Sequence, residues 1–432
     1  MTRPDTMLIV AIAFVVFLLM RMPVAFAIGI SGVLFFAQHP ELPFTIPAQI
    51  TVSQTQNFSL LAVPLFILAG NFMNRSGITK RLLELASVMT GRLRGGLAQV
   101  SIALSALMGG VSGSAIADAS MQSRMLGEDM VRRGFTRGFT AGVLSYGAVL
   151  TPIIPPGIGM ILYGTIGQVS IGRLFAAGVL PALLLWLALS LAVWLTARSR
   201  GYEPERKVRP NLKEAASAFT GGIWALLFPV FLLFGLRMGV FTPSEIGAFA
   251  VFYAIFIGVL IYREMTAKGF FEALEGSLTD VGAVMFLIAL SAIFSYGLVF
   301  ERVPEVVSGW ILGVTDNLDA AMILVAVFVL VIGFFIDATV LIIMLTPIFL
   351  PVIRQLGGDP VHFGIVFIIA ATIGNFTPPV GAAMYAVCSI LKCPIGEYTR
   401  ESKGLLAAVV LVVLLLVFLP GIVLFLPNLV FG

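Results

Sequence analysis

The sequence predicts an all-α polytopic membrane protein built from two inverted-topology repeats, each with a re-entrant hairpin and a proline-broken helix. Three observations carry that expectation. The 432 residues are 59% hydrophobic and only 11% charged, where a soluble chain would carry roughly 25% charged residues. Small and polar residues gather inside apolar segments at 109–118 (Gly-Gly-Val-Ser-Gly-Ser-Ala-Ile-Ala-Asp) and at 333–339 (Gly-Phe-Phe-Ile-Asp-Ala-Thr). Each cluster is followed by a long apolar segment interrupted at prolines, first at 151–157 (Thr-Pro-Ile-Ile-Pro-Pro-Gly) and then at 375–381 (Asn-Phe-Thr-Pro-Pro-Val-Gly). Irregular backbone at membrane depth is tolerated only when buried in protein or facing a water-filled cavity. Paired interruptions in corresponding positions of two halves point to the binding site of a secondary transporter.

Apolar runs of about 20 residues, or shorter ones that tilt, are candidate spans. Residues 7–20 and 22–36 form two short helices around Arg21 and Pro23. No small-residue cleavage site precedes the second, so the first is expected to stay in place. Residues 58–72 span, and 75–94 are basic and amphipathic. The first interrupted segment is 97–123, the first broken helix 138–168, and 174–197 spans. A polar connector at 198–218 separates the halves. Then 222–236, 246–262 and 278–300 span, and 303–317 is again amphipathic. The second interrupted segment is 320–353, the second broken helix 362–391, and 404–427 closes the chain.

Charge decides how these segments cross. If both interrupted segments turn back, with tips at 112–114 and 338–339, the basic clusters at 75–94, 124–137, 198–213, 263–268 and 392–403 share the cytoplasmic face with Arg21. That face then holds 21 of the 26 lysines and arginines, and Arg3, Arg173, Arg237, Arg302 and Arg354 remain outside. The positive-inside rule expects such an asymmetry. The two halves then align in order and inverted. Pro155-Pro156 with Tyr163 answers Pro378-Pro379 with Tyr385, and Ser170-Ile171-Gly172 answers Pro394-Ile395-Gly396.

At each break, unwound backbone exposes carbonyls, which favour cations, and half-helix N-termini, which favour anions. Oxygens of Ser112, Ser114, Thr151, Asp337, Thr339, Asn375 and Thr377 would satisfy a hard cation such as sodium. Serine and threonine also serve simply to let helices pack closely, and Thr140 and Ser145 are read that way. Asp118 and Asp337 lie inside membrane segments, where a charge costs roughly 2.5–3.5 kcal/mol on insertion scales and calls for a partner, an ion or a proton. A carboxylate capping a helix N-terminus is the other reading of Asp118. Asp337, at the expected tip, is the stronger candidate.

The chain resembles the large membrane subunit of TRAP transporters (tripartite ATP-independent periplasmic transporters). The residues that carry the likeness are the cluster at 109–118, Pro155-Pro156, Asp359-Pro-Val-His-Phe-Gly364 and Gly374-Asn-Phe-Thr-Pro-Pro-Val-Gly381. The resemblance implies a sodium-coupled elevator, in which a transport domain slides against a scaffold. It places scaffold helices at 1–74 and 219–300, amphipathic arms at 75–96 and 301–319, transport-domain halves at 97–197 and 320–432, and a cytoplasmic connector at 198–218. It implies one sodium site at Ser112, Gly113, Ser114, Thr151, Pro152 and Pro155, and a second at Asp337, Thr339, Gly374, Asn375, Thr377 and Gly381. Substrate would lie near Ser114, Pro156, Gly157, Thr339, Pro378 and Pro379. A small four-helix membrane subunit and a periplasmic substrate-binding protein are the implied partners. A carboxylate is the implied substrate, and a bacterial inner membrane the implied location. One departure stands out: relatives often carry serine after Pro-Pro, and Gly157 offers only backbone.

No cofactor beyond the coupling ion Na+ is expected. The chain has no GxxxxGK[ST] phosphate loop, no HExxH motif, no nucleophile–base cluster and no charge pattern for nucleic acid, so enzyme activity is not expected. Cys388 and Cys393 read as core. The rival readings are a stand-alone sodium- or proton-coupled carboxylate symporter of the same architecture, and a channel.

Overall fold

The computed structural model describes residues 4–206 and 208–432; Arg3 and Lys207, given to opposite faces above, lie outside them. Every regular element among the described residues is helical. Among the described residues six helices are long and apolar enough to cross a membrane, or up to nine when each bent pair counts as one span. This is a multi-pass membrane protein.

The first interrupted segment is a helical hairpin. Helix Gly96–Ser112 ends at Gly113, whose φ of 61° is left-handed, and helix Ala115–Arg132 returns beside it. Glycine suits that position because it has no Cβ to resist positive φ. Ser101 Oγ donates to Gln122 Oε1 at 2.9 Å, and Ser105 Oγ to Asp118 Oδ2 at 2.8 Å. Each pair straddles the tip evenly, as antiparallel arms require. Both ends of the hairpin reach one connector. The Arg206 N–H donates to the Gly91 carbonyl at 2.9 Å, and Arg133 pairs with Glu205. The same face gathers Arg75 with Glu272 at 2.6 Å, Arg81 with Glu264 at 2.8 Å, and Arg200 with Glu401. Cysteines placed at Arg92 and Arg133 are therefore expected to react with an impermeant thiol reagent from one side of the membrane only. Labelling from opposite sides would remove the hairpin.

The second hairpin pairs Leu318–Ile332 with Ala338–Gln355, and Phe328 and Phe349 meet across it with ring centroids 5.5 Å apart. Its tip differs from the expected 338–339. Asp337 accepts from the Thr339 N–H at 2.8 Å, which caps the returning helix. Ala338 and Thr339 are thus its first turn, and the chain reverses at 333–336. At the base, Ser308 Oγ donates to Gln355 Oε1 at 2.6 Å and Arg354 donates to the Gly167 carbonyl at 3.0 Å.

Several helices outrun their apolar stretches. Helix Leu212–Arg237 starts well before residue 222, with Asn211 as its N-cap, and Ala267–Phe300 starts at its Thr266 cap. The connector between halves shrinks accordingly to 201–211. Apolar length reports hydrocarbon thickness, whereas caps set where the helix begins. The closing span is in fact two helices, Lys403–Phe418 and Pro420–Phe431. Pro420 lacks an N–H and disfavours helical backbone at Leu419, which has φ −122° and ψ 69°. Helices Ile46–Thr55 and Ile395–Glu401 had no apolar signal to reveal them.

Candidate ion and substrate site

The first tip is seated on the first break. The broken helix runs as Arg137–Gly147, a tight turn Ala148–Ile153, and then Ile158–Gly167. Its freed carbonyls come up against glycines. A Cβ at Gly113 would lie 2.8 Å from the Pro156 oxygen, one at Gly157 1.9 Å from the Pro152 oxygen, and one at Gly178 1.9 Å from the Ile153 oxygen. Serine at 157 therefore has no room in this chain, which accounts for the departure noted above. Ser114 is the N-cap of the returning arm, its Oγ 3.5 Å from the Ala117 N–H. Ser112 Oγ is buried without a hydrogen-bond partner.

Asp118 does not cap that helix. Its carboxylate is almost fully buried, at 1% exposure. It accepts from Ser105 at 2.8 Å, from Thr151 at 3.1 Å and from Gln122 at 3.0 Å. Two hydroxyls and one amide N–H converge on it, and together they meet its hydrogen-bonding needs inside the protein. Through Thr151 it ties the hairpin to the break. Ser101, Ser105 and Gln122 were not among the expected residues. Their signal was present, as polar residues four apart on each arm at mirrored distances from the tip.

The second tip meets the second break in the same manner. A Cβ at Gly374 would lie 2.6 Å from the Gly333 Cα, so tip and break touch backbone to backbone. Gly374→Ala is expected to separate them and lower the melting temperature by several degrees; an unchanged melting curve would show the contact to be slack. Asn375 Nδ2 donates to Asp337 Oδ2 at 3.1 Å, while Asn375 Oδ1 is buried without a partner. Gly381 has φ 27°, and a Cβ there would stand 2.8 Å from the Asn375 carbonyl oxygen and 3.0 Å from that of Thr377. Thr377 Oγ1 donates to the Ile373 carbonyl at 2.8 Å. Tyr398 and Tyr146 both reach the Phe376 carbonyl, at 2.7 and 3.3 Å. The peptide bonds Pro155–Pro156 and Pro378–Pro379 are both cis.

The chain matches the family described as "Tripartite ATP-independent periplasmic transporter, DctM component" over residues 11–422. It belongs to that family. Among its relatives is the 2,3-diketo-L-gulonate TRAP transporter large permease protein of Escherichia coli (strain K12), 34% identical over 93% of this chain and 94% of the relative. Another is the sialic acid TRAP transporter large permease protein of Vibrio cholerae, 33% identical over 95% of this chain and 96% of the relative. The C4-dicarboxylate TRAP transporter large permease protein of Rhodobacter capsulatus is 31% identical over 95% of this chain and 96% of the relative. All three are named as transporter permeases rather than enzymes.

In this TRAP permease the two breaks differ in access. Pro152, Pro155, Pro156 and Gly157 are buried, whereas Pro379 and Tyr385 are exposed and Thr339 and Pro378 half-buried. The first tip is covered by helix Ala62–Arg75, where a Cβ on Gly70 would sit 2.7 Å from the Val111 carbonyl oxygen. Tyr163, paired with Tyr385 in the sequence, is buried and donates to the Pro360 carbonyl at 2.7 Å. A cavity of about 420 Å³ with a mixed lining has Asn57, Thr165, Gln168, Ser291 and Ser295 among its walls and no residue of either tip.

Proposed function

We propose that this TRAP permease couples sodium entry to uptake of an organic acid across a bacterial inner membrane. Substrate is delivered by a periplasmic binding protein, and a small four-helix membrane subunit completes the assembly. One observation carries the reading: in each half a hairpin carboxylate is hydrogen-bonded to a side chain of the facing break, Asp118 to Thr151 and Asp337 to Asn375. An unpartnered buried oxygen stands nearby in each, Ser112 Oγ in one and Asn375 Oδ1 in the other. Such oxygens suit a hard cation, and a buried oxygen left unmatched costs about 1–3 kcal/mol. Sodium, as co-substrate, would be held by Ser112, Ser114, Thr151 and backbone carbonyls of Gly113, Pro152 and Pro155 in the first site. Asp337, Thr339, Asn375, Thr377 and backbone of Gly374 and Gly381 would hold it in the second. One such site in each half accounts for the occurrence of tip and break as a pair.

The carboxylate substrate would lie between the sites, near Ser114, Pro156, Gly157, Thr339, Pro378 and Pro379. There the N-terminal ends of Ile158–Gly167 and Ala382–Leu391 favour an anion. The substrates named for the three relatives are all organic acids, which supports an anionic substrate. We read the two halves as inverted repeats. Helix Ile158–Gly167 runs from the first tip to the second hairpin's base, and Ala382–Leu391 ends where Arg137 donates to the Leu391 carbonyl at 2.5 Å, at the first hairpin's base. Hairpins and broken helices then move as one transport domain against scaffold helices in 1–74 and 219–300, through the amphipathic arms Ile78–Thr90 and Val303–Val314.

Proteoliposomes given sodium and proton gradients separately test the proposal. With both partners present, uptake is expected to follow an inward sodium gradient at fixed pH and to be negligible for the chain alone. Robust uptake by the chain alone would make it a stand-alone symporter, and flux indifferent to either gradient would make it a channel.

A further inference from the structure

An apolar cavity of about 360 Å³ opens on the side of the molecule between the first hairpin and helix Leu212–Arg237. Ala103, Ala106 and Leu107 of the hairpin arm face Pro229 and Leu233 across it, with Ile154 and Pro155 of the first break at one end. Trp186 and Met89 also line it. The neighbouring Leu183, Leu187 and Met89 are 49%, 51% and 55% exposed, so the cavity is continuous with an apolar outer surface. In a multi-pass membrane protein the medium at such a surface is the bilayer.

Depth selects the occupant. Helix Ile171–Arg200 passes the first break at Gly178 and reaches Trp186 eight residues later, about 12 Å further at ~1.5 Å per residue. Half of a hydrocarbon core of ~30 Å is about 15 Å. With the break at the membrane midplane, a clause that rests on the transporter reading, Trp186 stands near the level of the lipid esters, where tryptophan is favoured. Its Nε1 is buried and has no hydrogen-bond partner. Beyond it, on the basic face, Met89 is followed by the exposed Arg92 and Arg94.

We propose that this cavity binds an anionic diacyl phospholipid of the basic-side leaflet. One acyl chain fills the space between Ala106 and Pro229, the apolar face of the Trp186 indole packs against it near the ester level, and the phosphate lies against Arg92 and Arg94. The lipid thereby wedges the first hairpin from the helix that flanks it.

The test reads binding, so it does not depend on transport or on the coupling ion. With Trp194, Trp224 and Trp310 changed to Phe, Trp186 emission is followed in detergent micelles as dibrominated phosphatidylglycerol is added. Quenching is expected to saturate at low mole fraction. Ala106→Phe, which fills the cavity, should leave only the proportional background while the melting temperature holds. Arg92→Gln with Arg94→Gln should shift saturation to roughly 30-fold higher lipid, about fivefold per cationic contact. Quenching that rises only in proportion to lipid, or that ignores Ala106→Phe, overturns the site. Equal saturation by dibrominated phosphatidylcholine overturns the anionic headgroup. Loss of saturation when a small membrane subunit is added assigns the cavity to a protein helix instead.

Discussion

Asn375→Ala is expected to raise the sodium concentration for half-maximal uptake by roughly 5- to 150-fold, the equivalent of about 1–3 kcal/mol for a lost buried ligand. Asn375 faces both ways at the second break. Its Nδ2 holds Asp337 at 3.1 Å, and its buried Oδ1 has no partner. Removing the amide takes away one oxygen and one of the two hydrogen bonds that hold the Asp337 carboxylate, leaving that from the Thr339 N–H. Thr377→Ala should act more weakly, because Thr377 Oγ1 already donates to the Ile373 carbonyl at 2.8 Å. Ser114→Ala should combine a loss of sodium affinity with the loss of a cap, about 1 kcal/mol. The measurement is uptake against sodium concentration in proteoliposomes holding all partners. An Asn375→Ala transporter with unaltered sodium dependence would make the amide a purely structural link.

Asp118→Ala is expected to lower stability by about 3 kcal/mol or more, read as a fall in melting temperature in detergent. The substitution strands the hydroxyl donors of Ser105 and Thr151, which point at one carboxylate, while Gln122 Nε2 keeps Ser105 Oγ as an acceptor at 2.6 Å; each unmatched group costs about 1–3 kcal/mol. Asp118→Asn keeps the shape and part of the acceptor capacity, since the hydroxyls of Ser105 and Thr151 can rotate to accept. It should therefore fold with a smaller loss and retain sodium-driven uptake. Ser105→Ala, which deletes a donor without stranding a charge, should cost less than Asp118→Ala. Uptake driven by a pH gradient in sodium-free buffer, and abolished in Asp118→Asn, would assign the coupling ion as a proton carried at Asp118. Coupled loss in the Asp118→Ala and Thr151→Val pair, smaller than the sum of the two single effects, would show that the hairpin and break share one network.

Much of the site was legible in the sequence because its chemistry is local. A glycine–serine cluster in an apolar run, or Pro-Pro after a hydroxyl residue, marks interrupted helix whatever surrounds it. The first tip stands at Gly113 and Ser114 as expected. Where the reading slipped, a cap was the cause. Asp337 looked like a tip residue, but its side chain accepts from the Thr339 N–H, and a cap is distinguished from a tip only by the backbone on either side. The role of Asp118 was likewise ambiguous, since a first-turn carboxylate reads as a cap until the opposite arm is placed against it.

The sequence by itself determined the membrane character, the two hairpins and the two breaks. Apolar run length, proline and charge act through the bilayer and the adjacent backbone, so they need no distant partner. Tertiary structure alone decided which atoms converge. It set the carbonyls of Pro152, Ile153 and Pro156 against Gly157, Gly178 and Gly113, and Gly333 against Gly374. It also turned Asp118 toward Thr151 and left Asn375 Oδ1 without a partner. Most of these contacts join residues dozens of positions apart, where close approach depends on how whole helices pack, and composition along the chain carries no record of that distance.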